Sequence, residues 1–163
     1  MSLVNRISNT DDLKTIAELP ENEMALFYMF PKAIYPLSAE QLENVIKNRF
    51  KSTVFILDKK IIGYANLYLY KDEKEPYIGN VILSQKYRGR GFGKEIVQTM
   101  IQKAKEKFKT DAIKIAVFKS NTNVYGMYKS LGFEEFGTES REDFRGEQQE
   151  LVFMGLEFIE NSE

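Results

Sequence analysis

A basic, glycine-rich loop is the segment of this sequence best suited to bind a charged ligand. Gly89, Gly91 and Gly93 alternate within the stretch 85–94, which contains no acidic side chain and four basic ones: Lys86, Arg88, Arg90 and Lys94. Glycine lets backbone N–H groups approach a ligand, and the first N–H groups of a helix lack internal partners. A strand precedes this loop and an amphipathic helix follows it. The pattern therefore predicts a pyrophosphate site, and a turn that merely packs the helix on the strand is the alternative.

The spacing of the loop argues against two common nucleotide-binding motifs. A Walker A loop needs four residues between Gly and Gly-Lys, followed by Ser or Thr. Here Gly89 and Gly93 enclose three residues, and Glu95 follows Lys94. A dinucleotide fingerprint needs G-x-G-x-x-G, and the third glycine here comes one residue early. These departures disfavour a phosphotransferase.

Two motifs together resemble the GNAT superfamily of N-acetyltransferases. Arg88-x-x-Gly91-x-Gly93 is similar to the R/Q-x-x-G-x-G/A loop of that family. The stretch from Asn121 to Phe133, NTNVYGMYKSLGF, is similar to its N-x-x-A-x-x-x-Y-x-x-x-G-F segment and follows the loop at the spacing that the family requires. The second motif has a valine where the family usually has a small residue. The resemblance covers about half of the chain.

The resemblance implies acetyl-CoA as the acetyl donor and an amine as the acceptor. It implies that the pyrophosphate is held by the backbone of the loop residues Arg88, Gly89, Arg90, Gly91, Phe92, Gly93 and Lys94. The edge of the preceding strand would bind the pantetheine arm as an added strand, through Val81, Ile82 and Leu83. Asn121 would contact the same arm, and Tyr128 would direct its hydroxyl at the thioester sulfur.

The chemistry of thioester cleavage fits a tyrosine at this position. When an amine attacks the thioester, negative charge develops on the carbonyl oxygen and then on the leaving sulfur. A strand N–H, from Ile82 or Leu83, can stabilise the oxygen. A phenol, with an ordinary pKa of about 10, can protonate the departing thiolate. A core tyrosine on an amphipathic helix is the alternative interpretation of Tyr128, and Tyr125 competes weakly for the same role.

The general base is not identified by the sequence. Some relatives place Glu in the strand before the second motif, where this chain has Ala116. Others place Glu near the start of the strand before the loop, where Glu75 precedes Pro76 and Tyr77. Glu75 is therefore one candidate, and a water molecule held by Asn80 or Tyr77 is the other.

The composition excludes several other chemistries. The 163 residues include no Cys and no His. Their absence rules out disulfides, metal sites built from thiolate or imidazole ligands, a Cys nucleophile and a Ser-His-Asp triad. We expect no metal, and we expect direct attack by the amine in a ternary complex in place of an acyl-enzyme.

The charge is distributed unevenly along a chain whose net charge is −1. Residues 134–163 contain ten acidic and two basic side chains, and the preceding part carries a basic excess. Four of these acids lie between the last two predicted strands: Glu139, Glu142, Asp143 and Glu147. They favour a cationic acceptor, either a small amine or polyamine or an amine of a basic peptide. A solvated acidic face is the alternative. The net charge gives no support to nucleic-acid binding.

Hydrophobic patterns predict the elements that position these residues. The predicted strands are a hairpin at 53–70 and single strands at 78–83, 113–118, 133–136 and 150–158. The predicted helices run from Thr10 to about Leu19, from Ser38 to about Phe50, from Gly91 or Phe92 to Phe108, and from about Asn123 to Leu131, before Gly132.

This order of elements predicts class α/β (α+β), and the resemblance makes the expected fold GNAT-like. The sheet would be mixed, mostly antiparallel, flanked by helices, and splayed at the strand that binds the cofactor. We expect one N-acetyltransferase domain over residues 1–163. No apolar run approaches about 18 residues, so we expect no membrane partner. The N-terminus lacks the apolar segment of a secretory signal, so we expect a cytoplasmic location. The sequence leaves open whether the protein forms a homodimer.

Overall fold

The computed structural model describes residues 3–158, whose seven strands form one sheet. The strands are β1 (Val4–Ile7), β2 (Phe50–Leu57), β3 (Lys60–Tyr68), β4 (Tyr77–Leu83), β5 (Ala112–Phe118), β6 (Glu134–Glu142) and β7 (Gln148–Glu157). The α-helices are α1 (Leu13–Ala17), α2 (Glu23–Met29), α3 (Ala39–Ile46), α4 (Phe92–Phe108) and α5 (Thr122–Ser130). The single domain predicted over 1–163 includes chain ends that lie outside the described residues.

The strands follow the spatial order β1-β2-β3-β4-β5-β7-β6. Every neighbouring pair is antiparallel except β4 and β5, which are parallel. The sheet is therefore mixed and mostly antiparallel, and helices flank it. This architecture confirms the fold class that the sequence predicts.

The parallel pair β4 and β5 separates soon after it begins. Its backbone partners are Tyr77 with Lys114 and Ile78 with Ile115. Asn80 then has a φ of 50°, and the register between β3 and β4 shifts at this point. Such a bulge bends a strand away from its neighbour. Beyond Asn80, the edge of β4 that faces β5 has no partner strand among the described residues. The predicted splay is therefore present.

Helices cover both faces of the sheet. On one face, α4 buries a stripe formed by Ile96, Val97, Met100 and Ala104 against β3 and β4. On the other face, α1 and α3 bury Ile16 and Leu42, together with Tyr64 of β3. Full burial of one large apolar side chain contributes about 1.5–3 kcal/mol. The two layers hold β4 between them and fix the direction of α4.

Most of the predicted elements are confirmed around the site. The helix α4 begins at Phe92 and ends at Phe108, as the sequence predicts. The hairpin β2–β3, the strand β4 and the helix α5 are also present. Gly132 follows α5 and has a φ of 101°, which is the left-handed conformation that the sequence predicts at the end of this helix.

The N-terminal third departs from the prediction at its element ends. Asn9, not Thr10, caps the first helical segment: its side chain accepts a hydrogen bond from the N–H of Asp11, and the Asp12 carboxylate accepts one from the N–H of Asn9. The helix α3 ends at Ile46, and Phe50 begins β2. The prediction omits β1, because this edge strand has no apolar alternation and is held by backbone pairing to β2. It also omits α2.

None of the helices within residues 3–158 combines the length and the apolar character needed to span a bilayer.

Candidate active site

A cavity of about 1140 Å³ occupies the gap between β4 and β5. The glycine-rich loop, the start of α4 and the helix α5 line one part of it, and the ends of α2, α3 and β3 line the opposite part. The predicted site residues that line the cavity are Val81, Ile82, Leu83, Arg88, Gly89, Gly91, Gly93, Lys94, Asn121 and Tyr128. The structure therefore brings both sequence motifs to one cavity.

The N-terminus of α4 opens toward this cavity without a side-chain cap. The N-cap is Gly91, whose φ of 88° lies in the left-handed region, and Gly89 has a φ of 79°. The first helical hydrogen bond runs from the N–H of Glu95 to the carbonyl of Gly91. The N–H groups of the three residues in between therefore have no helical acceptor, and the helix dipole adds partial positive charge. This end of the cavity can hold a pyrophosphate through backbone groups.

Arg88 directs its side chain to protein partners at the edge of the cavity. Its guanidinium makes two hydrogen bonds to the carboxylate of Glu21, with N···O distances of 2.6 and 2.9 Å. Its Nε donates to the carbonyl of Leu83 at 3.0 Å. Arg88 thus fixes the end of β4 to the loop that follows it, and its charge is balanced by Glu21. Its backbone N–H donates to the carbonyl of Gln85 at 3.3 Å, so the free N–H groups near the predicted pyrophosphate site begin after Arg88.

Arg90 and Phe92 do not line the cavity. Phe92 is buried in a small apolar cluster with Leu57 and Ile62, and its N–H is one of the free groups at the start of α4. The guanidinium of Arg90 lies 5.7 Å from the ring centre of Tyr87. For both residues only the backbone is placed near the predicted pyrophosphate site.

The backbone of β4 alternates between β3 and the cavity. The N–H of Ser84 donates to the carbonyl of Ile62 on β3 at 2.7 Å. Because neighbouring strand residues direct their backbone groups to opposite sides, Ile82 also faces β3, whereas Val81 and Leu83 face the cavity. The predicted pantetheine contacts therefore reduce to Val81 and Leu83. Of the Ile82 and Leu83 N–H groups predicted to stabilise a thioester oxygen, that of Ile82 faces β3, and Val81 is the cavity-facing residue beside Asn80.

Asn121 and Tyr128 approach the cavity from α5. Asn121 is the N-cap of α5 but its side chain makes no capping hydrogen bond, which leaves its amide available to a ligand. Tyr128 is 3% exposed, and its ring packs edge-on against Phe133 with a centroid distance of 5.5 Å. No hydrogen-bond partner of its hydroxyl lies within residues 3–158, and burial raises the pKa of Tyr128 far above its usual range. The hydroxyl stays protonated at neutral pH.

Tyr125 points elsewhere, although it lies on the same helix. Its hydroxyl donates to the carboxylate of Glu135 at 2.7 Å, and it does not line the cavity. Of the two tyrosines that the sequence leaves open, Tyr128 is the one that reaches the cavity.

A buried polar network supports Asn80 at the bulge of β4. The Oδ1 of Asn80 accepts from the Nδ2 of Asn66 at 2.9 Å, and its Nδ2 donates to the carbonyl of Met29 at 2.9 Å. Asn66 in turn donates to the hydroxyl of Tyr64. Asn80 lines the cavity, and its Oδ1 retains one acceptor lone pair. It can therefore orient a water molecule or an amine.

Glu75, the carboxylate considered as a base, lies outside the cavity. Its carboxylate is 3.8 Å from the Nζ of Lys114, which also lies 2.6 Å from Glu73. Tyr77 donates its hydroxyl to Glu73 and does not line the cavity either. A role of Glu75 as base therefore lacks geometric support. Of the three residues considered for removal of the proton from the amine, Glu75, Tyr77 and Asn80, only Asn80 lines the cavity.

The acidic residues of the last hairpin also lie away from the large cavity. Asp143 is buried in the turn between β6 and β7, where it accepts from the N–H groups of Arg145 and Glu147 at 2.8 and 3.1 Å. The Arg145 side chain donates to the same carboxylate and holds the pKa of Asp143 well below its usual range. Glu142 and Asp143 touch a separate cavity of about 310 Å³. Within residues 3–158, no group of three or more His, Cys, Asp or Glu side chains could hold a metal ion.

Sequence reasoning missed the residues at the far end of the large cavity. The guanidinium of Arg49 lies over the ring of Tyr68, 4.1 Å from its centre, and Tyr68 stacks on Tyr77 at 5.2 Å. Burial raises the pKa of Tyr68 to about 12. Arg141 of β6 lines the same region and pairs with Glu139. No motif connects these positions in the sequence, so none of them could have been selected from it.

Residues 15–133 match the sequence model of a family described as "Acetyltransferase (GNAT) family". The match covers well over half of the chain and includes the glycine-rich loop and the helix α5.

Three similar proteins carry acetyltransferase names. A spermine/spermidine N(1)-acetyltransferase of Bacillus subtilis (strain 168) is 24% identical over 105 residues, which are 61% of this chain and 67% of that protein. An L-amino acid N-acetyltransferase of Escherichia coli (strain K12) is 22% identical over 107 residues, 64% of this chain and 66% of that protein. A crystal structure of spermidine N-acetyltransferase from Vibrio cholerae, in complex with CoA and spermine, has a TM-score of 0.79 at 21% identity and covers 96% of each chain. The Vibrio cholerae protein shares its fold with this chain, and the three names give two kinds of acceptor, polyamines and L-amino acids.

Proposed function

Because the chain belongs to the GNAT acetyltransferase family, we propose that it transfers the acetyl group of acetyl-CoA to a primary amine. One observation carries the proposal: a single cavity connects the uncapped start of α4, the free edge of β4 and Tyr128. Six steps of about 3.3 Å give β4 a length of about 20 Å. An extended pantetheine arm can follow such an edge from the glycine-rich loop toward Asn80.

The chain supplies two kinds of group that would hold the donor. The backbone from Gly89 to Lys94 would bind the pyrophosphate, and the ammonium of Lys94 would add a positive charge beside it. Val81 and Leu83 would pair with the amides of the pantetheine arm, and the side chain of Asn121 would contact the same arm.

The reaction would proceed by direct attack of the amine on the thioester. The amine nitrogen forms a bond to the carbonyl carbon, and the bond from that carbon to sulfur breaks. The N–H of Val81, which faces the cavity beside Asn80, would stabilise the negative charge on the oxygen. The hydroxyl of Tyr128 would donate its proton to the leaving thiolate, and the phenolate would regain a proton from solvent. The products are the acetylated amine, CoA and one proton.

In this proposal a water molecule accepts the proton of the incoming ammonium. No Asp or Glu lines the large cavity within the described part of the chain. The free lone pair on the Oδ1 of Asn80 would orient a water molecule that accepts the proton. This arrangement replaces the carboxylate base considered from the sequence.

The experiment that tests the proposal measures the release of CoA with a thiol reagent. The chain contains no Cys, so the CoA thiol is the only thiol that the assay reports. We expect release that depends on both acetyl-CoA and an amine drawn from a broad panel. Tight acetyl-CoA binding without amine-dependent release from any member would contradict an enzyme.

That negative result would favour a different function, a non-catalytic module that binds acyl-CoA. The absence of a carboxylate from the described cavity lining is the observation that keeps this second function in view. Both functions require binding of CoA. A calorimetric measurement that detects no CoA binding would therefore exclude both.

The acceptor predicted from the acidic C-terminal segment is cationic. The polyamine names of the Bacillus subtilis and Vibrio cholerae proteins support that prediction. The positions of Glu139, Glu142, Asp143 and Glu147 do not, because none of these side chains lines the large cavity. A cytoplasmic location and a homodimer stay predictions.

A further inference from the structure

The large cavity has a strongly one-sided charge. Within residues 3–158 its lining includes five basic side chains and no acidic one. Arg88 and Lys94 belong to the loop end, where a pyrophosphate would bind. Lys32, Arg49 and Arg141 line the other end, which is the part of the cavity left for the acceptor.

Arg49 is the partly buried basic residue at this end whose charge lacks compensation; Lys32 also makes no salt bridge within residues 3–158, but it is exposed. The Arg49 guanidinium makes no salt bridge and donates no side-chain hydrogen bond to any residue in the described range; its main contact is the ring of Tyr68. Two carboxylates close to this end are already paired, Glu73 with Lys114 and Glu139 with Arg141. The N–H donors of this partly buried cation, Arg49, have no hydrogen-bond acceptor in the described range, so a ligand anion can pair with them.

The position of Arg49 separates it from the pyrophosphate site. Tyr68, under Arg49, ends β3 and pairs with Tyr77 at the start of β4. The glycine-rich loop follows the opposite end of β4, about 20 Å away along the strand. Tyr68 is nevertheless close enough to Tyr128 to contribute to the raised pKa of that hydroxyl. Arg49 therefore lies near the reacting end of the cavity and far from the phosphates of the donor.

We infer that the acceptor is a primary amine that also bears a compact oxyanion such as a carboxylate, and that Arg49 binds this oxyanion. A guanidinium and a carboxylate match in a two-pronged geometry, and the stacked ring of Tyr68 holds that fork in place. The aromatic side chains of Tyr28, Tyr70 and Phe153 line the same region and would contact an apolar remainder of the acceptor. A polyamine would instead meet like charges. The inference rests on the proposed acetyl transfer, because it defines the acceptor of the same site.

The test compares amines that differ only in the oxyanion. L-phenylalanine, L-methionine and glycine are each paired with the corresponding amide, and spermidine is added as a cationic acceptor. We expect at least tenfold higher kcat/KM for the best amino acid than for its amide and for spermidine. In Arg49→Gln we expect the KM for that amino acid to rise at least tenfold. The KM for its amide should not rise, and the KM for spermidine, which carries more positive charge, should fall.

Two further variants keep the result interpretable if Arg49→Gln folds poorly. Arg49→Lys retains the charge and loses the planar fork, so the KM for the amino acid should rise less than in Arg49→Gln. Lys47→Gln removes an exposed positive charge two residues away, outside the cavity lining, and should leave every KM within twofold. Calorimetry should show the acetyl-CoA affinity unchanged in all three variants.

The outcomes separate this inference from the proposed function. CoA release with no amine dependence would overturn both. Amine-dependent release of CoA with an equal or higher kcat/KM for the amides or for spermidine would overturn only the inference that the acceptor bears an oxyanion. A KM for spermidine that rises in Arg49→Gln would do the same, because a cation gains from the loss of a neighbouring positive charge.

Discussion

The hydroxyl of Tyr128 offers a clean perturbation, because it contacts the cavity and has no hydrogen-bond partner in the described structure. Tyr128→Phe removes one oxygen and keeps the ring that packs on Phe133. No protein group loses a partner, so we expect the free energy of unfolding to change by about 1 kcal/mol or less.

The expected effect on catalysis is larger than the effect on stability. A hydrogen bond to a charged group contributes about 1.5–3 kcal/mol, which corresponds to roughly a 10- to 150-fold change in rate. Proton donation by a positioned acid contributes about 10²–10⁴-fold. We therefore expect kcat in Tyr128→Phe to fall about 100-fold, while the KM for acetyl-CoA stays within twofold.

The pH dependence provides a second measurement on the same residue. Burial raises the pKa of Tyr128, so the protonated phenol persists beyond its ordinary value of about 10. The rate of the unmodified protein should not fall between pH 7 and 9 through loss of this proton. Tyr125→Phe is the matched control, because its hydroxyl bonds Glu135 outside the cavity, and it should keep full kcat.

The reasoning about Tyr128 would be refuted by full activity in Tyr128→Phe. It would also be refuted by a decline in rate between pH 7 and 9 that the unmodified protein shows and Tyr128→Phe lacks. Full activity would return Tyr128 to a packing role in the core. The decline in rate would show that its hydroxyl loses its proton in this range, contrary to the raised pKa.

Three further changes test other parts of the structure. Gly91→Glu places a negative charge at the start of α4 and should weaken acetyl-CoA binding at least tenfold, about 1.4 kcal/mol, by calorimetry; Gly91→Ala controls for backbone strain, and unchanged binding would remove the pyrophosphate site. Gly79→Ala puts a methyl group 2.7 Å from the ring of Tyr68 and should cost about 1–3 kcal/mol in urea unfolding; an unchanged midpoint would show that the ring yields. Asp143→Ala should lower the thermal midpoint at pH 7. Because the folded pKa of Asp143 is depressed, its contribution is present above about pH 4 and is lost as pH falls through the folded value; an equal midpoint at pH 7 would contradict the role of Asp143 in the turn.

The helices and turns around the site were predictable because interactions between residues close together in the chain form them. The apolar stripe of α4 repeats with a helical period, and alternating glycines mark the turn before it, so the sequence predicts both the helix and a phosphate-binding loop. The motif that contains Tyr128 specifies a short helix, which is present as α5. In each case the residues that determine the structure are close together in the chain.

The orientation of individual side chains depended on partners far away in the sequence. Arg88 belongs to the basic loop, but it pairs with Glu21, 67 residues earlier. Asp143 belongs to an acidic segment, but it is used to hold its own turn. Charge counts along the chain cannot distinguish a side chain that faces a ligand from one that pairs within the protein.

The end of the cavity proposed to bind the acceptor was decided by the tertiary structure alone. Arg49 follows α3, Tyr68 ends β3 and Arg141 lies on β6, and the sheet brings the three to one cavity. The bulge at Asn80 separates β4 from β5 and opens that cavity. A pairing between strands depends on non-local contacts, which leave no periodic signal in the sequence. The sequence by itself therefore determined the two motifs proposed to bind the donor and the order of the elements, and only the packing of the sheet determined which charges line the rest of the cavity.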